Sequence, residues 1–254
     1  MEKLTKRLRS SLVENPSIEI KKSDIWSLPV LTLSVEYKRV RKSKMDILMK
    51  MMLLTFEEAD IRRAANLSEM LLVEELFIED LIKKMQRTDL IQIDKGNYRL
   101  TMKGKEQLKS GIVEEDMDLE GTDVIYSPNH DEFWLELNGS VPKTDEELTV
   151  FRYENNEDNI NHNRILEVLS ESKNGLDENG LQLVVADILS YEKQSVLHVP
   201  CLEFQLYHKE QDIFYSRVWN TLLGQWDHTL ERQIEERELV TWREKWEMKE
   251  PISE

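Results

Sequence analysis

The chain has one cysteine, Cys201, in 254 residues, so an internal disulfide is excluded and the composition fits a reducing compartment. Glycine is scarce, with eight residues. Neither a Gly-x-x-x-x-Gly-Lys-Ser/Thr loop nor a Gly-x-Gly-x-x-Gly run occurs, which excludes nucleotide binding by a standard phosphate-cradling loop. No apolar run approaches the roughly 18–20 residues that span a bilayer, so no membrane partner is expected. The basic N-terminal stretch Lys3, Lys6, Arg7, Arg9 is followed by no apolar core, and a secretory leader is not expected. These absences predict a cytoplasmic protein. The five histidines form no ligand motif: His198 and Cys201 lack a second pair, so neither a metal nor another cofactor is expected.

Positive charge is scarce in the rear half. Residues 1–112 hold 22 Lys/Arg against 17 Asp/Glu, or +5, while residues 113–254 hold 12 against 33, or −21. Such a split predicts two regions with different partners. Five carboxylates between Glu114 and Glu120 mark the boundary. The expected organisation is therefore an N-terminal arm and strand over 1–43, a helical domain over 44–112, an acidic linker over 113–123 and an acidic α+β domain over 124–254.

What is present is patterned. Leu31, Leu33, Val35 and Tyr37 alternate with Thr32, Ser34, Glu36 and Lys38, the period of a half-buried strand. The basic run Lys38 to Lys44 follows as a connecting segment. Met45, Leu48, Met49, Met52 and Leu53 predict a first helix over about 44–54. A second helix is expected over about 56–65, with a turn at Asn66-Leu67-Ser68. A third ends near Met85. Two short strands flank Asp94-Lys95-Gly96-Asn97, and Thr101 is placed to cap a closing helix that Gly111 ends.

Helix, helix, helix, hairpin, helix is the order of a winged helix-turn-helix. The region resembles the bacterial superfamily of that name through Ile61-Arg62-Arg63-Ala64-Ala65-Asn66-Leu67, Ile78 to Met85, Leu90-Ile91-Gln92-Ile93-Asp94 and the Leu100-Thr101-Met102-Lys103-Gly104 ending. The resemblance covers residues 44–111, about a quarter of the chain. It implies the fold and leaves the activity open, since the superfamily holds both transcription regulators and protein-interaction modules. In members that read DNA, the third helix enters the major groove by its N-terminal end. Here that end reads Leu71-Leu72-Val73-Glu74-Glu75, which offers phosphates the wrong charge. Arg39, Arg41, Lys42, Arg62, Arg63, Lys95, Arg99 and Lys103 are the candidate DNA-backbone contacts, and DNA binding through residues 38–105 is the alternative to a protein partner.

In the rear half, strands are expected at 124–126, 132–137, 148–153, 181–191, 196–207 and 213–219. A turn is expected at Asn138-Gly139 and a helix over 159–172. This predicts a mixed α+β domain whose sheet is mostly antiparallel. Trp219, Leu223, Trp226, Leu230 and Ile234 fall at helical steps and predict a long terminal helix over about 217–247. Trp242 and Trp246, one turn apart, are candidates for partner docking. An Asp followed by Glu-x-Lys on the next strand is the pattern of a Mg²⁺-dependent nuclease. Asp187, Glu203 and Gln205 approximate it with Gln in place of Lys.

The expected function is a non-enzymatic adaptor or regulatory subunit of a bacterial-type cytoplasmic assembly. A DNA-binding transcriptional regulator with an acidic ligand- or partner-sensing domain is the first alternative. An unusual Mg²⁺-dependent nuclease is the second.

Overall fold

The computed structural model describes residues 1–135, 148–157 and 159–247. The expected turn at Asn138-Gly139 lies outside them. In chain order the elements are α1 (Glu2–Leu12), β1 (Ile18–Lys44), α2 (Ile47–Glu58), α3 (Ala64–Leu71), α4 (Glu75–Arg87), β2 (Ile91–Asp94), β3 (Asn97–Leu100), α5 (Met102–Ser110), β4 (Ile112–Ser127), β5 (Glu132–Trp134), α6 (His162–Lys173), β6 (Gly175–Leu176), β7 (Gln182–His208), β8 (Ile213–Asn220), β9 (Gln225–Trp226) and α7 (His228–Glu247). The fold is α+β, with antiparallel pairing between β4 and β5, β6 and β7, β7 and β8, and β8 and β9. One sheet runs in the order β5-β4-β1-β7-β8-β9, with β6 on β7, and β2-β3 form a separate hairpin.

The chain forms two compact units that do not follow the boundaries expected from the sequence. The first comprises Met1–Val35, Thr122–Asn161 and Tyr191–Glu254; the second comprises Glu36–Gly121 and His162–Ser190. Strands β1, β4 and β7 each contribute residues to both. The basic run 38–44 is therefore the end of a strand, and the expected acidic linker 113–123 is part of β4. The reason is charge pairing at long sequence separation: Lys38 meets Asp116 at 3.0 Å, Arg41 meets Glu115 at 3.6 Å, Lys42 meets Glu114 at 2.9 Å, and the Met45 N–H donates to the Gly111 carbonyl at 2.9 Å. As one index rises the other falls, which is the signature of an antiparallel ladder.

In the second unit, α2 to α5 and the hairpin close around Met52, Leu53, Phe56, Leu67, Ile78, Met85 and Leu90, all fully buried. Asp46 caps α2, its Oδ1 accepting from the Leu48 N–H at 2.8 Å, and Thr101 caps α5 through the Gly104 N–H at 2.9 Å. The helix boundaries differ from expectation. Phe56 continues the stripe of Met49, Met52 and Leu53, so α2 runs on to Glu58. Residues 66–68 then lie inside α3, and the turn comes at Leu72–Glu74, where Leu72 is left-handed at φ 55°. The hairpin turns on Lys95 and Gly96, both at positive φ, with Asp94 opposite Asn97.

In the first unit, Leu8 of α1 packs on Leu202, Phe204 and Leu206 of β7. The opposite face of the strand carries Val199 and Cys201, packed with Trp26, Leu28, Phe151, Val218, Leu230, Ile234 and Trp242. Residues 148–153 form no strand; Val150 makes an isolated parallel bridge to Ser27. The expected terminal helix begins only at His228. Trp219 and Trp226 are instead cross-strand neighbours on β8 and β9, edge to face with centroids 5.3 Å apart.

Candidate functional site

The turn joining α3 to α4 presents the most exposed apolar group in the second unit. Ile78, Ile82 and Met85 turn α4 inward, which leaves Leu76 and Phe77 of its first turn outward at 63% and 53% exposure. Met70 in the last turn of α3 is 59% exposed and Leu72 is 91% exposed. The turn is held by its own backbone and by Ser68, whose hydroxyl donates to the Val73 carbonyl at 2.6 Å. Its shape is thus set without any contribution from the four outward side chains. Glu69, Glu74, Glu75 and Asp80 are all exposed in the same segment. Exposed apolar and exposed acidic side chains thus alternate along this segment.

The cationic candidates are mostly engaged elsewhere. Arg39 donates from Nε to Glu120 at 2.7 Å, and Arg41 lies 2.8 Å from Asp177 through its Nε. Lys42 pairs with Glu114, Lys103 lies 3.5 Å from Asp116, and Arg99 is bound by Asp60. The Arg62 Nε–H donates to Asn97 Oδ1 at 3.0 Å. Among the described residues, Arg62, Arg63 and Lys95 are the three candidates without an acidic partner within 4 Å. A ladder of neutralised cations carries little net field toward phosphates.

The carboxylates of the nuclease pattern do not converge. Residues 181–207 form one strand, β7, instead of two, so Asp187 and Glu203 sit sixteen positions apart along it, in different units. Asp187 is exposed, while Glu203 is 2% exposed. Glu203 is fully occupied: Arg152 grips it through Nη1 at 2.7 Å and Nη2 at 2.9 Å, Trp26 Nε1–H donates at 2.7 Å, and Gln205 Nε2–H at 3.2 Å. Among the described residues, no group of three or more His, Cys, Asp or Glu is placed to hold a metal ion.

Trp242, a candidate for partner docking, is a core residue at 3% exposure, and its Nε1–H donates to Glu238 Oε2 at 2.9 Å. The inward stripe of α7 is Leu230, Ile234, Glu238 and Trp242, because Glu238 is drawn in by Arg152 and by the Tyr153 hydroxyl at 2.8 Å. Burial opposes the charge on Glu238, yet these donors outweigh it and hold its carboxyl below the usual range. Burial likewise disfavours the Arg152 cation, and the two carboxylates overcome it, pushing that group further up. Trp246 is half-buried against the same core.

A second polar constellation escapes sequence reading. Ser127 Oγ lies 2.7 Å from His130 Nδ1, and His130 Nε2 lies 2.9 Å from both oxygens of Asp227. Asn220 Nδ2–H also donates to Asp227 at 2.9 Å. The residue types are those of a hydrolytic triad, but Ser127 has no exposed surface and the imidazole and carboxylate side chains are 4% and 3% exposed. A nucleophile sealed in this way reaches no substrate. Asp227 also accepts from the Leu230 N–H at 3.2 Å, so the group fastens the β4–β5 turn to the start of α7. The one local signal was the Ser-Pro-Asn-His turn; its partner lies 97 residues away.

Burial raises the Asp227 pKa, but hydrogen bonds and charge from His130 and the bonds from Asn220 and the Leu230 amide outweigh it and leave the carboxyl below 3.8. A depressed carboxylate adds stability that is present above its unfolded value and is lost as pH falls through the folded one. The first unit is therefore expected to lose stability as pH falls below about 3.8, and Asp227→Asn should flatten that limb. Tryptophan-detected urea melts across the acidic range check this; an unchanged slope in the variant contradicts it.

Comparison with protein-family models, curated proteins and solved structures finds no match to this chain. Among the described residues, no helix is long and apolar enough to cross a membrane.

Proposed function

We propose that the protein is a non-enzymatic adaptor, or a regulatory subunit, of a bacterial-type cytoplasmic assembly, and that residues 44–112, within its second unit, are a winged helix-turn-helix module used to hold a protein. The observation that carries this reading is the α3–α4 turn, where Met70, Leu72, Leu76 and Phe77 stand outward among carboxylates. Large apolar side chains this exposed, close together in the chain, are the mark of a docking surface. The position that would read bases in a DNA-binding relative of this shape offers no cation here, and most basic residues nearby are already paired.

Arg63 and Lys95, exposed and without acidic partners, are the observation that favours the alternative, a DNA-binding regulator. A duplex retardation assay at low salt separates the two. The adaptor reading predicts no saturable shift. Retardation that falls steeply with salt and is lost in Arg63→Ala with Lys95→Ala would establish the alternative instead.

A further inference from the structure

Helix α2 has a second face that the core does not use. Met49, Met52, Leu53 and Phe56 point inward, while Ile47, Met51 and Leu54 are 72%, 45% and 44% exposed. Their i, i+4, i+7 spacing makes one continuous outward stripe, and Glu58 prolongs it by another turn. Lys44, just before the helix, and Glu58, its last residue, are both exposed. Neither has an ion-pair partner among the described residues. The stripe is thus apolar in the middle, with the exposed cation Lys44 ahead of the helix and the exposed anion Glu58 at its end, and Lys50 exposed beside it.

We propose that this face binds a second copy of the same chain through an antiparallel, two-fold contact between the α2 helices. A two-fold axis at Met51 places Ile47 against the partner's Leu54. It also brings Lys44 to the partner's Glu58 at both ends at once. A parallel arrangement would set Lys44 against Lys44 and Glu58 against Glu58. Self-complementarity of both apolar and charged positions is the requirement of an isologous interface, and it selects this occupant over an unrelated protein. Twelve residues of helix are about 18 Å long. One stripe of that length covers less than the roughly 800 Å² per partner of a standard interface. The dimer is therefore weak and concentration-dependent, with a dissociation constant in the micromolar range or above. The proposal is independent of what the α3–α4 turn holds.

Sedimentation velocity of the full chain, from low-micromolar to several-hundred-micromolar protein, tests it. A reversible monomer–dimer equilibrium is expected. Met51→Glu should weaken it by about tenfold or more, one exposed apolar contact being replaced by two facing carboxylates. Lys44→Glu and Glu58→Lys should each weaken it, and the double exchange should restore it. All three positions are exposed, and unchanged far-UV spectra and melting midpoints confirm folding of the variants. A chain that stays monomeric throughout overturns the proposal, as does a dimer indifferent to Met51→Glu. A double exchange as weak as the single variants overturns the antiparallel contact.

Discussion

Glu203→Ala is expected to destabilise the first unit by about 3 kcal/mol, the cost of breaking a buried ion pair by removing one partner. Glu203 is 2% exposed and accepts four hydrogen bonds, two of them from Arg152. Its removal strands the Trp26 indole N–H in the core, where Trp26 stacks on Phe151 at 4.4 Å between centroids. The Arg152 side chain is 36% exposed and keeps Glu238, so it recovers part of its hydration and the loss falls at the lower end of the range. Glu203→Gln should cost less, because the amide still accepts from Trp26. All six tryptophans lie in the first unit, so their emission during urea unfolding reports that unit alone. A midpoint shift worth less than about 1 kcal/mol would mean that the carboxylate is not a structural anchor.

The second large effect is expected at Gly104. A β-carbon there would lie 2.0 Å from the carbonyl oxygen of Leu90, inside any permitted contact. That carbonyl is fixed, since it accepts the Thr101 N–H at 3.0 Å. Helix α5 and the backbone at Leu90, just before β2, must therefore move apart, and Gly104→Ala is expected to cost about 2–4 kcal/mol. Gly96→Ala is the comparison. Nothing lies within 4 Å of its β-carbon, and only its φ of +79° opposes substitution, at about 1 kcal/mol. Hydrogen exchange of the α4 and α5 amides reads the second unit directly. Equal protection in the two variants would contradict the close approach.

Gly104 also shows what was legible in the sequence. Leu100-Thr101-x-x-Gly104 is visible as a pattern, and the structure gives each position its reason: a buried strand end, a helix cap and a backbone contact. The antiparallel α+β character followed from alternation and turn residues in the same way. Features that depend on long-range pairing were not legible. The basic 38–44 run and the acidic 114–120 run each read as solvated segments, because their mutual neutralisation requires a ladder between strands some seventy residues apart. Trp219 and Trp226 matched a helical step by being partners across a tight turn. Glu192 to Ser195 is polar enough to read as a break, yet β7 runs through it. Trp242 pointed inward because Glu238, a carboxylate, belongs to the buried stripe of its helix. Sequence periodicity assigns carboxylates outward, and the donors from Arg152, Tyr153 and Trp242 reverse that.

For the α3–α4 surface, the chain already contained the decisive residues. Leu71-Leu72-Val73-Glu74-Glu75 signalled a probing end without cations, and the structure adds the exposure that turns this into a positive feature. The central proposition is that this turn contacts a protein. Site-specific photo-crosslinking from position 72, in the full chain expressed in its own cell, tests it most directly. The prediction is a discrete protein adduct that is absent from a probe at the exposed Met102 and is lost when Leu76 and Phe77 are both changed to Ser. Crosslinking to nucleic acid from position 72, or a protein adduct indifferent to those two changes, would contradict it.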